Sequence, residues 1–164
     1  MPSTSASRVI RAPRNEVWAL LSDIGNARRW NSAWASIDFV SKQTHGPDTR
    51  FRARTNEGEE FEFVITAWVA PEYIEFAPVR DEWERYGITL ESQAFRLESQ
   101  GEGETRVDLI ARASTHGIKA WVVGLVLWRG YQKKGLNVAL ETLESAFQSD
   151  GTDGPQEGAT PASD

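Results

Sequence analysis

The spacing of hydrophobic residues near the start of the chain changes from that of a strand to that of a helix. Residues 3–11 form a short β-compatible segment, and Pro13 follows where a helix can begin, because proline is pre-organised for the first helical position. Apolar residues then recur at the spacing of one helix face: Val17, Leu20, Leu21 and Ile24. Gly25 and Asn26 can end this helix. We therefore predict a strand, an amphipathic helix and, over residues 27–31, a turn or a second short helix.

The middle of the chain has the pattern of an antiparallel meander. Between residues 34 and 115, short runs rich in β-branched and aromatic residues alternate with glycine, proline, asparagine and aspartate. Connections this short favour antiparallel neighbours. The predicted strands cover residues 35–42, 49–55, 60–70, 73–78, 86–98 and 105–115.

Charge pairing predicts the register of two hairpins. With Arg54 opposite Glu60, Arg52 lies opposite Glu62, and this face becomes a ladder of opposite charges. The other face is then apolar, as a half-buried antiparallel pair requires, with the pairs Phe51–Phe63 and Ala53–Phe61.

In the last hairpin, Arg96 is placed opposite Asp108, and Glu98 opposite Arg106. The register two residues closer sets Arg96 against Arg106, and like charges directly opposite are unfavourable. The preferred register directs Phe95 and Leu97 to the inner face, opposite Leu109 and Val107.

The last part of the chain is helical in length and pattern. Residues 117–148 carry Leu136, Leu140, Leu143 and Phe147 at helical spacing, and about 30 residues span about 45 Å. Such a helix can cover the apolar face of an antiparallel sheet, which needs covering. From residue 149 onwards the sequence is polar and acidic, and we expect a disordered tail.

Residues 120–128, in the first half of this helix, are apolar on all sides. Three interpretations are open: the segment roofs a cavity, packs against a second subunit, or touches a membrane transiently during ligand exchange. Trp121 and Trp128 are seven residues apart and therefore lie on one side of the helix.

The composition fits one soluble domain and excludes several kinds of chemistry. The chain has 164 residues, of which 40% are hydrophobic and 26% charged. There is no cysteine, so disulfides and thiolate ligands are excluded. His45 and His116 lack a metal-ligand spacing. We therefore expect neither a metal nor a cofactor.

The net charge of −6 argues against nucleic-acid binding, because phosphate recognition normally needs a basic surface. Four of these charges lie in the tail beyond residue 149. No apolar run reaches the roughly 18 to 20 residues of a membrane span, and the first residues lack the apolar stretch of a secretory signal. A cytoplasmic protein is therefore expected. The seven tryptophans either fill the core or line a pocket.

Five strings mark the predicted elements: Ile10-Arg-Ala-Pro-Arg-Asn-Glu-Val-Trp18, Leu21-Ser-Asp-Ile-Gly25 with Trp30 after it, Gly46-Pro-Asp-Thr-Arg-Phe51, Pro71-Glu-Tyr-Ile-Glu-Phe76 and Gly103-Glu-Thr-Arg-Val107. Together with the element order, they resemble the START-like superfamily, also called SRPBCC, and within it the polyketide cyclase/dehydrase-type branch. The resemblance covers residues 3–148. It implies an α+β helix-grip fold, in which a curved seven-stranded antiparallel sheet wraps around the long C-terminal helix. Two short helices lie between strands 1 and 2, and a cavity separates the sheet from the long helix.

The resemblance makes residues 1–148 a START-like ligand-binding domain, followed by the disordered acidic tail 149–164. Members commonly bind lipids, polyketides, sterols, quinones or other apolar molecules, and some are cyclases or dehydratases. Because a fold does not determine the chemistry of its site, the resemblance implies a pocket without naming its contents.

Polar residues on the inner face of the last hairpin are the candidate anchors. Glu91 and Gln93 share the inward parity of Phe95, and the predicted register sets them opposite Ala113 and Ala111. Small residues facing polar ones leave space, as in a cavity with a few polar anchors. Glu91 would then act as an acid or base, or anchor a hydroxyl or a cation. The alternative is a β-bulge near Ser92 that turns Glu91 outward.

Arg129, beside Trp128 on the long helix, is the candidate partner of Glu91 or of an anionic ligand group, because arginine suits bidentate carboxylate recognition. The alternative is a solvent-facing arginine.

We therefore predict a cytoplasmic protein that binds an apolar or amphipathic small molecule, such as a lipid, polyketide or quinone. The predicted ligand-binding residues are Phe51, Phe61, Phe63, Glu91, Gln93, Phe95, Leu125, Trp128 and Arg129. A cyclase or dehydratase with Glu91 as its catalytic acid or base is the first alternative. An interaction module with a filled core is the second, with a homodimer or partner interface on the Trp121–Trp128 surface.

Overall fold

The computed structural model describes residues 3–79, 84–85, 88–115 and 118–149, with the backbone alone for residues 84–85, 118–129 and 131–132. The elements in chain order are β1 (Ser3–Ile10), α1 (Arg14–Ser22), a 3-10 helix (Ile24–Arg29), β2 (Trp34–Phe39), β3 (Arg50–Thr55), β4 (Glu60–Val69), β5 (Tyr73–Pro78), β6 (Glu84–Arg85), β7 (Ile88–Ser99), β8 (Thr105–Thr115) and α2 (Ile118–Ser149). The predicted tail lies outside the described residues.

All strands belong to one antiparallel sheet. Its order is β1-β8-β7-β5-β4-β3-β2, and the two-residue strand β6 pairs with β7 beside this path. The seven predicted strands, the two short helices after β1 and the long C-terminal helix are all present. The helix-grip fold is therefore confirmed.

The charge-based registers of both hairpins are confirmed. Arg54 lies opposite Glu60 and Arg52 opposite Glu62, which places Phe51 against Phe63 on the inner face. The last hairpin also has the register predicted from charge pairing, with the pairs Arg96–Asp108, Glu98–Arg106, Phe95–Leu109 and Leu97–Val107.

One predicted pairing in β7 is wrong. Leu90 lies opposite Ala113 and Ser92 lies opposite Arg112, so Glu91 is the extra residue of a β-bulge and does not face Ala113. A bulge adds local bending and twist, which a sheet that wraps around a helix needs. The register is restored beyond the bulge, and Gln93 lies opposite Ala111 as predicted.

Helix α2 covers the sheet from the side of β1 and β8. Its 32 residues form one helix, about 48 Å long. Leu136, Leu140 and Leu143 are buried in the core. Arg8 on β1 donates a hydrogen bond of 2.6 Å to Glu144 and ties the C-terminal half of α2 to the sheet. In the described part of the chain, no helix combines the length and the apolar character needed to cross a membrane.

A polar network stabilises the outer face of the sheet around Glu75. Its carboxylate accepts hydrogen bonds from Tyr73 at 2.7 Å and from Thr66 at 2.9 Å, and it also pairs with Arg112. Burial raises the pKa of the Glu75 carboxyl, but the hydrogen bonds from Tyr73 and Thr66 and the charge of Arg112 outweigh burial, so the pKa lies below its ordinary value of 4.5. The ionised form therefore stabilises the fold.

Replacing Glu75 by Gln removes this charge while keeping the side-chain shape. We expect Glu75→Gln to lower the free energy of unfolding at pH 7 by about 1 to 2 kcal/mol, because a charged hydrogen-bond acceptor is lost. A carboxyl with a depressed folded-state pKa stabilises above its unfolded pKa, so the deficit shrinks as the pH falls below 4.5. Urea unfolding at several pH values measures this deficit.

Glu60→Gln is the control, because the Arg54–Glu60 pair is exposed on the same sheet and such pairs contribute little. An equal loss of stability from both variants would contradict a special role for the Glu75 network.

Two glycines with open surroundings differ in backbone conformation. An added Cβ would meet nothing within 4 Å at Gly135 in α2 or at Gly58 in the β3–β4 turn, but Gly58 has φ +89°. We expect Gly135→Ala to stabilise the protein by up to about 1 kcal/mol through helix propensity. Gly58→Ala should destabilise it, because that φ is strained for alanine.

Thermal unfolding of the two glycine variants tests this difference. A lower midpoint for Gly135→Ala than for the unchanged protein would mean that another part of the chain packs against this side of α2.

Candidate functional site

An aromatic cluster occupies one end of the space between the sheet and its covering helices. Trp30, which follows the 3-10 helix, lies 5.5 Å from Trp34 and 5.2 Å from Phe95, measured between ring centroids. Trp34 contacts Phe51 at 6.0 Å and Phe63 at 5.8 Å, and these two phenylalanines stack at 5.5 Å. Each such pair adds about 0.5 to 1.5 kcal/mol beyond the burial of its area. The cluster is therefore packed core.

Three predicted ligand-binding residues, Phe51, Phe63 and Phe95, belong to this cluster and are at most 2% exposed. Phe61 is half-buried and packs against the same core. Because neighbouring rings already cover these phenylalanines, a ligand can reach them only at the boundary of the cluster.

Residue size falls along the inner face of β8, away from the aromatic cluster. From the cluster outward, the inward pairs are Phe95–Leu109, Gln93–Ala111 and Leu90–Ala113. Both alanines are fully buried. We call this part of the inner face, defined by Ala111 and Ala113, the alanine patch.

The N-terminal half of α2 passes over the alanine patch. The helix begins three residues after the end of β8, which is the Ala113 end of that strand. Its C-terminal half reaches the opposite end, where Glu144 bonds to Arg8 and Arg8 lies opposite Val107. The backbone between these two points therefore crosses the patch.

Leu125, Trp128 and Arg129 belong to this crossing segment of α2. Their side chains lie outside the described residues, as does that of Trp121, so the predicted pairing of Arg129 with Glu91 also lies outside them.

The two predicted polar anchors of β7 border the patch. Glu91 at the bulge and Gln93 beside Ala111 are both half-buried. Within the described ranges, neither side chain has a hydrogen-bond or ion-pair partner. The amide of Gln93, which shares the inner face with Ala111, is therefore free to meet a bound molecule.

The inner face carries little charge. Arg8 shares this face with its partner Val107, and its guanidinium is held by Glu144 and, at 3.5 Å, by Glu141. Apart from Arg8 and the bulge residue Glu91, the described inward positions of the strands are apolar or neutral. Such a surface suits an uncharged ligand.

Two buried polar atoms have no hydrogen-bond partner, namely the Thr4 hydroxyl and the Trp30 indole nitrogen. Trp30 sits in the aromatic cluster, whereas Thr4 lies on β1 opposite Ala111. The sequence analysis did not single out Thr4. The sequence feature that could have identified Thr4 is its alternation with Ala6 on the inward side of β1.

Two grooves on the outside of the protein meet at Arg14. One, of about 500 Å³, lies between Arg14 and Pro71, and the other, of about 470 Å³, lies between Arg14 and Arg96. Both are open to solvent, and none of the predicted ligand-binding residues lines them. Over the described ranges, no cluster of three or more histidine or acidic side chains forms a candidate metal site.

Solved structures of low sequence identity share the fold. The di-domain ARO/CYC BexL from the BE-7585A biosynthetic pathway matches 93% of this chain at 16% identity with a TM-score of 0.75, and the chain spans 48% of BexL. A norcoclaurine synthase point mutant from Thalictrum flavum, in complex with a transition-state analogue, matches 92% of this chain and 96% of its own at 10% identity, with a TM-score of 0.69. The Aha1 dimer from Colwellia psychrerythraea matches 89% of this chain and 96% of its own at 14% identity, with a TM-score of 0.63. These likenesses show the helix-grip fold alone.

Comparison of the sequence with curated proteins found no match. The sequence profile of the family described as polyketide cyclase/dehydrase and lipid transport matches residues 1–148. This span includes every described strand and all of α2 except its last residue. The resemblance drawn from the motifs is thereby confirmed, and the chain belongs to the polyketide cyclase/dehydrase and lipid transport family.

Proposed function

We propose that this protein binds an apolar or amphipathic small molecule between the alanine patch and the N-terminal half of α2. The observation that carries the proposal is the change of side-chain size on the buried inner face, from the packed aromatic cluster to Ala111 and Ala113. Protein interiors are close-packed, so the space above small side chains has to be filled by side chains of the covering helix or by a bound molecule. A bound molecule would fill the room that the alanines leave.

The affinity would come mainly from apolar contact. Burial of apolar surface contributes about 25 cal/mol per Å², so about 300 Å² would supply about 7 kcal/mol before the cost of association. Phe95 and the boundary of the aromatic cluster with Phe51, Phe61 and Phe63 form one wall in this proposal. Leu125 and Trp128 of α2 form the other.

Orientation would come from the polar groups around the patch. Gln93 carries both a donor and an acceptor, and Glu91 carries an acceptor when ionised. Arg129 would pair with Glu91 in this proposal. The family description, which names lipid transport beside cyclase and dehydrase, supports binding of this kind.

Filling the patch tests the proposal. Ala111→Leu should abolish binding of the neutral fluorescent probe N-phenyl-1-naphthylamine, with little change in thermal stability, because the added side chain enters the room otherwise taken by the ligand. Probe fluorescence and thermal unfolding measure the two effects.

Ala53→Leu is the matched control. Ala53 is equally buried but lies opposite Phe61 and Ile37 in packed core, so its enlargement should cost about 1 to 3 kcal/mol. If Ala111→Leu is destabilised as much as Ala53→Leu, or still binds the probe like the unchanged protein, no such room exists.

A cyclase or dehydratase is the second candidate function, favoured by the position of Glu91. It is a half-buried carboxylate on a β-bulge, without a partner in the described part of the chain, and bulges often re-aim side chains next to active sites. Glu91 would move the proton during ring closure or loss of water, while the walls of the site fold the substrate.

For this candidate, Glu91→Gln should stop ring closure of an added poly-β-ketone substrate while probe binding stays unchanged. Product analysis by chromatography provides the readout. Ring closure at the same rate in Glu91→Gln would remove Glu91 from the chemistry and leave binding as the function.

Association of two chains through the Trp121–Trp128 surface remains the third proposal. Light scattering coupled to size-exclusion chromatography distinguishes a homodimer from a ligand-binding monomer.

A further inference from the structure

Two buried threonines differ in whether their hydroxyl has a protein partner. Thr105 is fully buried and donates its hydroxyl to the Ala12 carbonyl at 2.8 Å. Thr4 is also buried, at 8% exposure, but its Oγ1 has no partner. An unsatisfied buried polar group costs about 1 to 3 kcal/mol. Valine has nearly the same shape and would avoid this cost. A threonine at this position therefore indicates that its hydroxyl has a function.

The direction of the Thr4 side chain follows from the alternation along β1. Thr4 and Ala6 are buried, whereas Ser3, Ser5 and Ser7 are exposed. Ala6 belongs to the core cluster, which places Thr4 on the inner face as well. The orphaned hydroxyl therefore projects toward the interior beneath α2.

Thr4 and Gln93 flank the same alanine. Ala111 pairs with Thr4 on one side and with Gln93 on the other. Two strand spacings separate Thr4 from Gln93, about 10 Å between their backbones. A ligand oxygen lying over the methyl group of Ala111 would have the hydroxyl on one side and the amide on the other.

The charges around Ala111 determine whether a charged or an uncharged oxygen of the ligand can bind there. Arg8, the described cation on the inner face, lies four residues along β1 from Thr4, about 14 Å away, and is paired with Glu144. A carboxylate placed over Ala111 would lose its hydration without gaining a described cation, which is costly. A hydroxyl or carbonyl needs only the neutral groups that are present.

We propose that Thr4 and Gln93 form a polar clamp over Ala111 that binds an uncharged hydroxyl or carbonyl group on an otherwise apolar ligand. This inference rests on the proposed function, and it names the ligand class as neutral oxygenated molecules rather than fatty acids or other organic anions. Thr4 and Gln93 bind and orient the ligand, and neither takes part in chemistry.

Three naphthalenes that differ in one substituent test the clamp by displacement of N-phenyl-1-naphthylamine: 2-naphthol, 2-ethylnaphthalene and 2-naphthoate. We expect the unchanged protein to prefer 2-naphthol over both others. Thr4→Val and Gln93→Met, which keep size and remove hydrogen bonding, should each weaken 2-naphthol on the order of tenfold and leave 2-ethylnaphthalene unchanged.

Thr105→Val is the control, because it removes a buried threonine hydroxyl that already has a protein partner. It should lower the unfolding midpoint without changing the order of ligand preference. Thr4→Val should leave the midpoint of the ligand-free protein unchanged or raise it.

The outcomes separate the two proposals. If the unchanged protein binds neither the probe nor any of the three naphthalenes, the proposed function and the clamp are both overturned. Probe binding without a preference for 2-naphthol, or with tighter binding of 2-naphthoate, would overturn the clamp alone. A midpoint that falls as far in Thr4→Val as in Thr105→Val would show that the Thr4 hydroxyl is already satisfied inside the protein, and would also overturn the clamp.

Discussion

The burial of one face of an antiparallel sheet beneath a single helix is the constraint on which this structure depends. Strands β7 and β8 alternate between an apolar inner face and a charged outer face, and only α2 is long enough to cover the inner one. The helix is tied down at its C-terminal half by Leu136, Leu140 and Leu143 and by the Arg8–Glu144 bond. Its N-terminal half extends over the smaller residues of the sheet.

Side-chain size therefore differs between two parts of the same interior. At one end, the short helices after β1 bring Trp30 against Phe95, and β2 brings Trp34 against Phe51. Beyond this cluster, the described inner face of β7 and β8 carries Gln93, Leu90, Ala111 and Ala113. The aromatic cluster holds the fold together, and in the proposed function a ligand completes the packing above Ala111 and Ala113.

Much of the fold could be predicted from the sequence because the signals were local. Opposite charges at matched positions determined the registers of the β3–β4 and β7–β8 hairpins, and glycine, proline and aspartate marked the ends of the strands. The sequence predicts a bulge near Ser92 only as an alternative, because a bulge depends on the curvature of the whole sheet and no neighbouring glycine marks it. The structure shows this alternative, with Glu91 as the extra residue. One extra residue was enough to shift Glu91 from its predicted partner while Gln93 kept its own.

The site was harder to predict than the fold because its character depends on distant neighbours. The inward parity of Phe51, Phe63 and Phe95 predicts that they contact a ligand. The same parity is found for core residues and for residues that line a cavity. Their burial against Trp30 and Trp34 depends on where the 3-10 helix docks. Thr4 could not be predicted for a related reason, since a hydroxyl without a hydrogen-bond partner is recognised only when the positions of all possible partners are known.

The central claim, that the alanine patch is occupied by a small molecule, is tested most directly by native mass spectrometry after the protein is incubated with a lipid extract. The account predicts one small apolar adduct per chain, released on denaturation, and a bare mass for Ala111→Leu treated in the same way. A bare mass for both proteins, or the same adduct on both, would contradict it.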